Sequence, residues 1–96
     1  MPLIAIHNGE IIGIARLSQL PGLNEVQFTM LIRDDFHNQG LGTIFLKKLI
    51  EIAKKEKRAK IHAAILTENT GMIKIAKSLG FAIKEEDNLA NAELVL

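Results

Sequence analysis

The sequence predicts an α+β domain: a mostly antiparallel twisted sheet of about six strands, with one parallel pair and two helices. Three observations carry that prediction. Asn8-Gly9, the dipeptide favoured in two-residue hairpin turns, separates two β-branched-rich runs. The apolar period changes from that of a strand to that of a helix at a glycine-bracketed turn, Gly40-Leu41-Gly42. A short apolar run, Lys60 to Leu66, then lies between this helix and a second one. The 96 residues, 48% of them hydrophobic, make a single domain spanning 1–96.

Taken in order, Leu3 to His7 and Glu10 to Leu17 form the first hairpin. Pro21-Gly22 marks a turn, after which Glu25 to Arg33 alternates, with Val26, Phe28, Met30 and Ile32 on one face and Glu25, Gln27, Thr29 and Leu31 on the other. From Leu41 to Lys57 the spacing predicts a helix whose apolar face carries Leu41, Ile44, Phe45, Leu49, Ile52 and Ala53. Lys60 to Leu66 reads as a buried strand, parallel to the Glu25 strand if the helix is a right-handed crossover. Thr67-Glu68-Asn69-Thr70 caps a second helix with a stripe of Met72, Ile73, Ala76 and Leu79, ended by Gly80. Phe81 to Glu86 and Ala92 to Leu96 form a last hairpin around Asp87-Asn88.

Twelve Lys and Arg against eleven Asp and Glu leave a net charge of +1, so no global field argues for nucleic acid or an anionic membrane. The basic cluster Lys54, Lys55, Lys57, Arg58 and Lys60 reads as the solvated end of a helix. No cysteine is present, which excludes disulfides, thiolate catalysis and cysteine metal sites and fits a reducing cytoplasm. His7 and His62 lie on strand patterns without metal-ligand spacing, so they read as structural and no metal is expected. No apolar run is long enough to span a bilayer, and no signal-peptide pattern is visible.

The chemistry concentrates where the third strand runs through Asp34-Asp35-Phe36-His37 into Asn38-Gln39-Gly40-Leu41-Gly42-Thr43. Glycine lets backbone approach a ligand closely, and the first N–H groups of a helix, at the positive end of its dipole, attract an anion such as a pyrophosphate. The alternative is a plain strand-to-helix connection whose glycines ease packing. A P-loop would need Lys-Ser or Lys-Thr after Gly42, and a Rossmann fingerprint would need a third glycine.

With these residues in view, the chain resembles the GNAT superfamily of acyl-CoA-dependent N-acyltransferases over nearly its whole length. His37-Asn38-Gln39-Gly40-Leu41-Gly42 stands on that family's Arg/Gln-x-x-Gly-x-Gly/Ala loop, and Asn69 lies the family-typical distance ahead of Leu79-Gly80-Phe81. Asp34-Asp35-Phe36 and Glu68-Asn69 are similar to the acetyltransferase domains of bacterial protein-lysine acetyltransferases. The resemblance implies acetyl-CoA as co-substrate. Its pyrophosphate would lie on backbone N–H groups from Asn38 through Gln39, Gly40, Leu41 and Gly42 to Thr43. The pantetheine arm would pair with the strand edge at Met30, Leu31 and Ile32, and Asn69 would sit near the thiol. It also implies transfer of acetyl to an amine, of a small molecule or a protein lysine.

Several positions depart from the family pattern. His37 replaces a longer Arg or Gln. Gln27 and Ala64 stand where a family glutamate deprotonates the amine; an ammonium with a pKa of about 10.4 must lose its proton before attack. Glu25, on the same strand face as Gln27, is the best substitute, and Glu68 is a second candidate. Ala76 stands where many members carry a tyrosine that protonates the leaving thiolate. The family's first strand and two helices, part of its acceptor groove, are not represented in these residues, which is expected of a fragment or a reduced member. Leu3 to His7 would then be an open edge, covered in a homodimer. These departures leave open an inactive coenzyme A-binding sensor or subunit, and a structural dimerisation domain.

Overall fold

A computed structural model of the chain describes residues 2–37 and 39–96. The elements follow the order β1 (Leu3–His7), β2 (Glu10–Gln19), β3 (Glu25–Ile32), a 3-10 turn (Asp34–Phe36), α1 (Leu41–Lys55), β4 (Lys60–Leu66), α2 (Thr70–Ser78), β5 (Ala82–Glu86) and β6 (Leu89–Val95). The sheet runs β1-β2-β3-β4-β6-β5, with β3 and β4 parallel and the other neighbours antiparallel. This is the α+β architecture that the sequence predicts. In the first turn Asn8 and Gly9 both take positive φ, 51° and 79°, as a tight hairpin with right-twisted strands requires.

Both helices lie on one face of the sheet. The core joins Val26 and Phe28 of β3, Ile61, Ala63 and Ile65 of β4, and Ala90 and Ala92 of β6 to Phe45, Leu46 and Leu49 of α1 and Ile73 and Ala76 of α2. Phe28 meets Phe81 edge to face at 5.9 Å, which ties the centre of the sheet to the end of α2. The alternate residues Glu25, Gln27, Thr29 and Leu31 fall on the opposite face, which no helix covers.

Details of α1 and of the last strand differ from expectation. Ile44 is 52% exposed, and the buried stripe of α1 is Gly42, Phe45, Leu46, Leu49 and Ala53. Ile44 shares its side of the helix with Lys48, Glu51 and Lys55 at intervals of four, seven and eleven, so the polar residues fix the helix's rotation and carry Ile44 outward with them. The last strand starts at Leu89, not Ala92, because the turn needs only Asp87, at φ 54°, and Asn88. Leu89 pairs directly with Leu66, and polar Asn91 falls on the uncovered face and so does not interrupt the strand.

Both helices end with paired backbone bonds that satisfy their last carbonyls. The Arg58 and Lys57 N–H groups donate to Ala53 and Lys54, and those of Phe81 and Gly80 donate to Ala76 and Lys77. These bonds stop α1 at Lys55, short of the predicted Lys57, whose own φ is 58°.

Candidate functional site

β3 and β4 pair over only three rungs, Glu25 with Lys60, Val26 with Ile61 and Gln27 with His62, and then part. β3 continues to Ile32 and β4 to Leu66, so a wedge opens between two parallel strands. Its β3 wall carries unpaired backbone groups. Arg33 N–H donates to the Ile12 carbonyl of β2 at 2.8 Å. By the alternation of an antiparallel ladder, Leu31 and Thr29 also turn their amides to β2, while beyond the last rung with β4 Met30 and Ile32 turn theirs into the wedge. Of the three residues expected to line the arm, Met30 and Ile32 therefore present backbone to the opening. Leu31 is bonded to β2 and its side chain is 75% exposed on the uncovered face.

The wedge runs into a cleft of about 380 Å³ between β3, the α1 N-terminus and α2. Met30, Ile32, His37, Gly40, Gly42, Thr43 and Asn69 line it, as the sequence predicts for a ligand site. Phe36, Gly71, Met72, Lys74 and Ile75 join them. Four of these are invisible to sequence reasoning because only the docking of α2 against α1 brings Gly71, Met72, Lys74 and Ile75 to the cleft, and Phe36 joins from the 3-10 turn ahead of α1. Lys74 adds a cation to a rim that otherwise offers N–H groups. Leu41 packs against the core, and Asn38 lies outside the described residues.

At the head of α1, Gly40 takes φ 85° and caps the helix with no side chain, and no acidic residue occupies the first turn. The N–H groups of Leu41, Gly42 and Thr43 precede the first helical bond, from Ile44 N–H to the Gly40 carbonyl at 3.1 Å, and so remain available to an anion. α2 is treated oppositely: Asn69 Oδ1 accepts from Met72 N–H at 3.3 Å, which leaves the Asn69 amide nitrogen to donate into the cleft. Gly42 serves a close approach. A Cβ there would lie 3.0 Å from Ile75 Cδ1 and 3.5 Å from Ile32 Cδ1, so its bareness lets α1, α2 and β3 converge.

The loop between β3 and α1 is braced from both sides. Arg33 makes a bidentate pair with Asp35 at 2.8 and 2.6 Å, reaches Glu10 at 2.7 Å and lies 5.3 Å from the Phe36 ring centre. The Asp35 pairing, then Glu10, raises the Arg33 pKa further above its ordinary value, and the Arg33 hydrogen bond lowers that of Asp35. His37 Nε2 donates to the Ile32 carbonyl at 2.8 Å, and Gln39 Nε2 to the Asp35 carbonyl at 3.2 Å. His37 and Gln39 thus shape the loop through their side chains. Replacing Arg33 with Gln is expected to weaken ligand affinity severalfold with little change in Tm, since exposed ion pairs contribute little to global stability. Because Asp35 titrates lower when folded, the pairing is present at neutral pH and is lost as pH falls through that lowered value. Calorimetric titration and thermal melts separate the two effects.

On the uncovered face, the last paired rung joins Gln27 to His62, and Glu25 lies two rungs behind, as the next residue of β3 on that face. Glu25 is not a solvated strand-start carboxylate: its Oε1 accepts from His62 Nε2 at 2.5 Å, and both side chains are mostly covered. Glu93 of β6 places Oε2 3.8 Å from His62 Nδ1 and Oε1 3.2 Å from Lys60 Nζ. Glu68 precedes Asn69, the N-cap of α2, and is exposed. Ala76 is fully buried in the core.

The model of the acetyltransferase (GNAT) domain matches residues 2–82, and the chain belongs to this family. An uncharacterized N-acetyltransferase of Methanocaldococcus jannaschii is 39% identical over 56 residues, 58% of this chain and 25% of that protein. The chain thus spans about a quarter of this curated relative's length. Among solved structures, the GNAT domain of S. lividans PAT superposes with a TM-score of 0.83 at 24% identity, over 99% of this chain and 60% of that one. The yncA protein of Salmonella typhimurium, solved with its cofactor acetyl-CoA, gives 0.83 at 22% identity, over 97% and 62%.

Proposed function

We propose that the chain is an acyl-CoA N-acyltransferase that moves an acetyl group from acetyl-CoA to a primary amine, a small molecule or a protein lysine, by direct attack within a ternary complex. The observation that carries this reading is the wedge: two parallel strands that part after three rungs, opening onto a cleft that ends at an uncapped helix N-terminus. A pyrophosphate suits the N–H groups of Leu41, Gly42 and Thr43 with Lys74 on the same cleft, and Asn38, Gln39 and Gly40 directly precede them in the sequence. An amide-bearing pantetheine arm suits the unpaired backbone of Met30 and Ile32, which it would extend as an added strand. The acetyl group then reaches the Gln27–His62 rung, where an amine approaching over the uncovered face can meet it. Amides on the β3 edge would hold and polarise the thioester carbonyl.

Titration calorimetry with acetyl-CoA, followed by thiol release with small primary amines and lysine peptides, tests the reading. Binding and thiol release are expected; absence of binding overturns it. Gln27, which has no proton-accepting side chain, favours a second reading as a coenzyme A-binding module without turnover, and binding with no thiol release would select that one.

The protein is read as a cytoplasmic homodimer with no nucleic-acid, membrane or metal partner. Among the described residues no helix is long and apolar enough to cross a membrane. β1 lies at a sheet edge, and its outward residues Ile4 and Ile6 are 50% and 67% exposed. Such an edge invites pairing with a second copy. Sedimentation at high micromolar concentration is expected to give a dimer that Ile4→Pro disrupts by removing a ladder donor; a monodisperse, folded wild-type monomer would exclude it.

A further inference from the structure

We propose that His62, oriented by Glu25, is the base that takes the proton from the attacking amine. This rests on the acetyl-transfer reading above. The sequence pattern gives His62 no role beyond its strand, and the two residues are 37 apart in the chain. Folding brings them together at the one place on the uncovered face where the sheet opens. His62 stands on the last paired rung of the wedge, opposite Gln27, whereas Glu25 stands two rungs back, about 6–7 Å away along β3. Ala64, the next residue of β4 on this face, is small and exposed and leaves room for a substrate amine beside the imidazole.

The hydrogen bonding assigns the roles. A carboxylate can only accept, so the neutral ring donates Nε2–H to Glu25 and keeps its lone pair on Nδ1. Glu25 is thereby occupied and serves to fix ring and tautomer, while Nδ1 makes no hydrogen bond among the described residues, its carboxylate neighbour being Glu93 Oε2 at 3.8 Å. Once Nδ1 is protonated, the ring faces Glu25 from β3 and Glu93 from β6, with Lys60 of its own strand moderating Glu93. The cluster does not converge as metal ligands would; no such group occurs among the described residues. A base held by a third group is the general arrangement for activating a poor nucleophile.

In the step itself, the ammonium gives one proton to His62 Nδ1, and the freed lone pair attacks the thioester carbonyl carbon. The C–N bond forms, the C–S bond breaks and its electron pair leaves on sulfur. The second nitrogen-bound proton passes through water to the thiolate, and His62 returns its proton to solvent. One acetyl-CoA and one ammonium thus give one amide, one coenzyme A thiol and one released proton.

The test compares His62→Gln, His62→Ala and Glu25→Gln with the wild type, each checked for fold by circular dichroism and for acetyl-CoA Kd by calorimetry. His62→Gln is expected to bind acetyl-CoA within about twofold of wild type while kcat falls about 10²–10⁴-fold. The limb that a histidine base imposes on the pH profile of kcat is expected to disappear. Added imidazole is expected to restore part of the rate in His62→Ala, which a structural role would not permit. Glu25→Gln is expected to lose about tenfold in kcat and keep the limb, since its amide oxygen can still accept from Nε2. A folded His62→Gln with wild-type kcat overturns the proposal, and so does loss of the limb in Glu25→Gln alone. Wild-type protein that binds acetyl-CoA but acetylates no amine overturns the base assignment; failure to bind acetyl-CoA removes the transfer reading and this proposal together.

Discussion

Gly40→Val is expected to abolish measurable acetyl-CoA binding, raising Kd at least about a hundredfold, in a protein that still folds. The residue holds φ 85° with open space where a Cβ would go, so the obstacle is backbone conformation and not collision. A left-handed conformation costs an L-residue about 1–2 kcal/mol, and a β-branched side chain tolerates it worst. The chain relieves that strain by rotating the peptide at the head of α1. Gly40 supplies the carbonyl of the first helical bond, so the Leu41, Gly42 and Thr43 N–H groups rotate with it and cease to converge. The valine side chain would also enter the space proposed for phosphate. Gly40→Ala, which keeps that space more open, should lose less. Calorimetric titration of both variants, with circular dichroism as a control, reads the result; wild-type affinity in Gly40→Val would show that the helix head is not the anion site.

Leu46→Ala is expected to be the most destabilising simple truncation, by about 2–5 kcal/mol, because Leu46 is fully buried between α1 and the sheet. In a domain whose whole stability is about 5–15 kcal/mol, the fall in Tm should exceed about 10 °C. Ile44→Ala, one turn-face away and half exposed, should cost far less. Thermal melts of the pair check the rotation of α1, and equal losses would mean that the helix sits differently on the sheet.

Much of this architecture is legible from local patterns. The two-residue turn at Asn8-Gly9, the alternation of Val26, Phe28, Met30 and Ile32, and the capping Asn69 with Gly80 each follow from the chemistry of a few adjacent residues. The open helix head proposed as an anion cradle is legible for the same reason, since Gly40, Gly42 and the helix they open are contiguous. What escapes the sequence depends on tertiary placement. Ile44 reads as inward because it is apolar, but the helix as a rigid body can bury only one side. The partners of His62 come from Glu25 and Glu93 on two other strands, and Lys74 reaches the cleft only through the docking of α2. No periodicity in the chain encodes those meetings.

The strand order gives the sheet an assembly sequence. β5 reaches the rest of the sheet only through β6, which follows it in the chain and lies between it and β4. A growing sheet therefore cannot add β5 next to β4 and wait. The two-residue turn at Asp87-Asn88 lets β5 and β6 close on each other first, locally and at low entropic cost, and the finished hairpin then docks on β4 as one piece. In kinetic terms the hairpin turn should be formed in the folding transition state while the β4–β6 rungs are not. Asp87→Ala, which disfavours the positive φ, should then slow folding more than it speeds unfolding, and Ala90→Gly on the docking face should do the reverse.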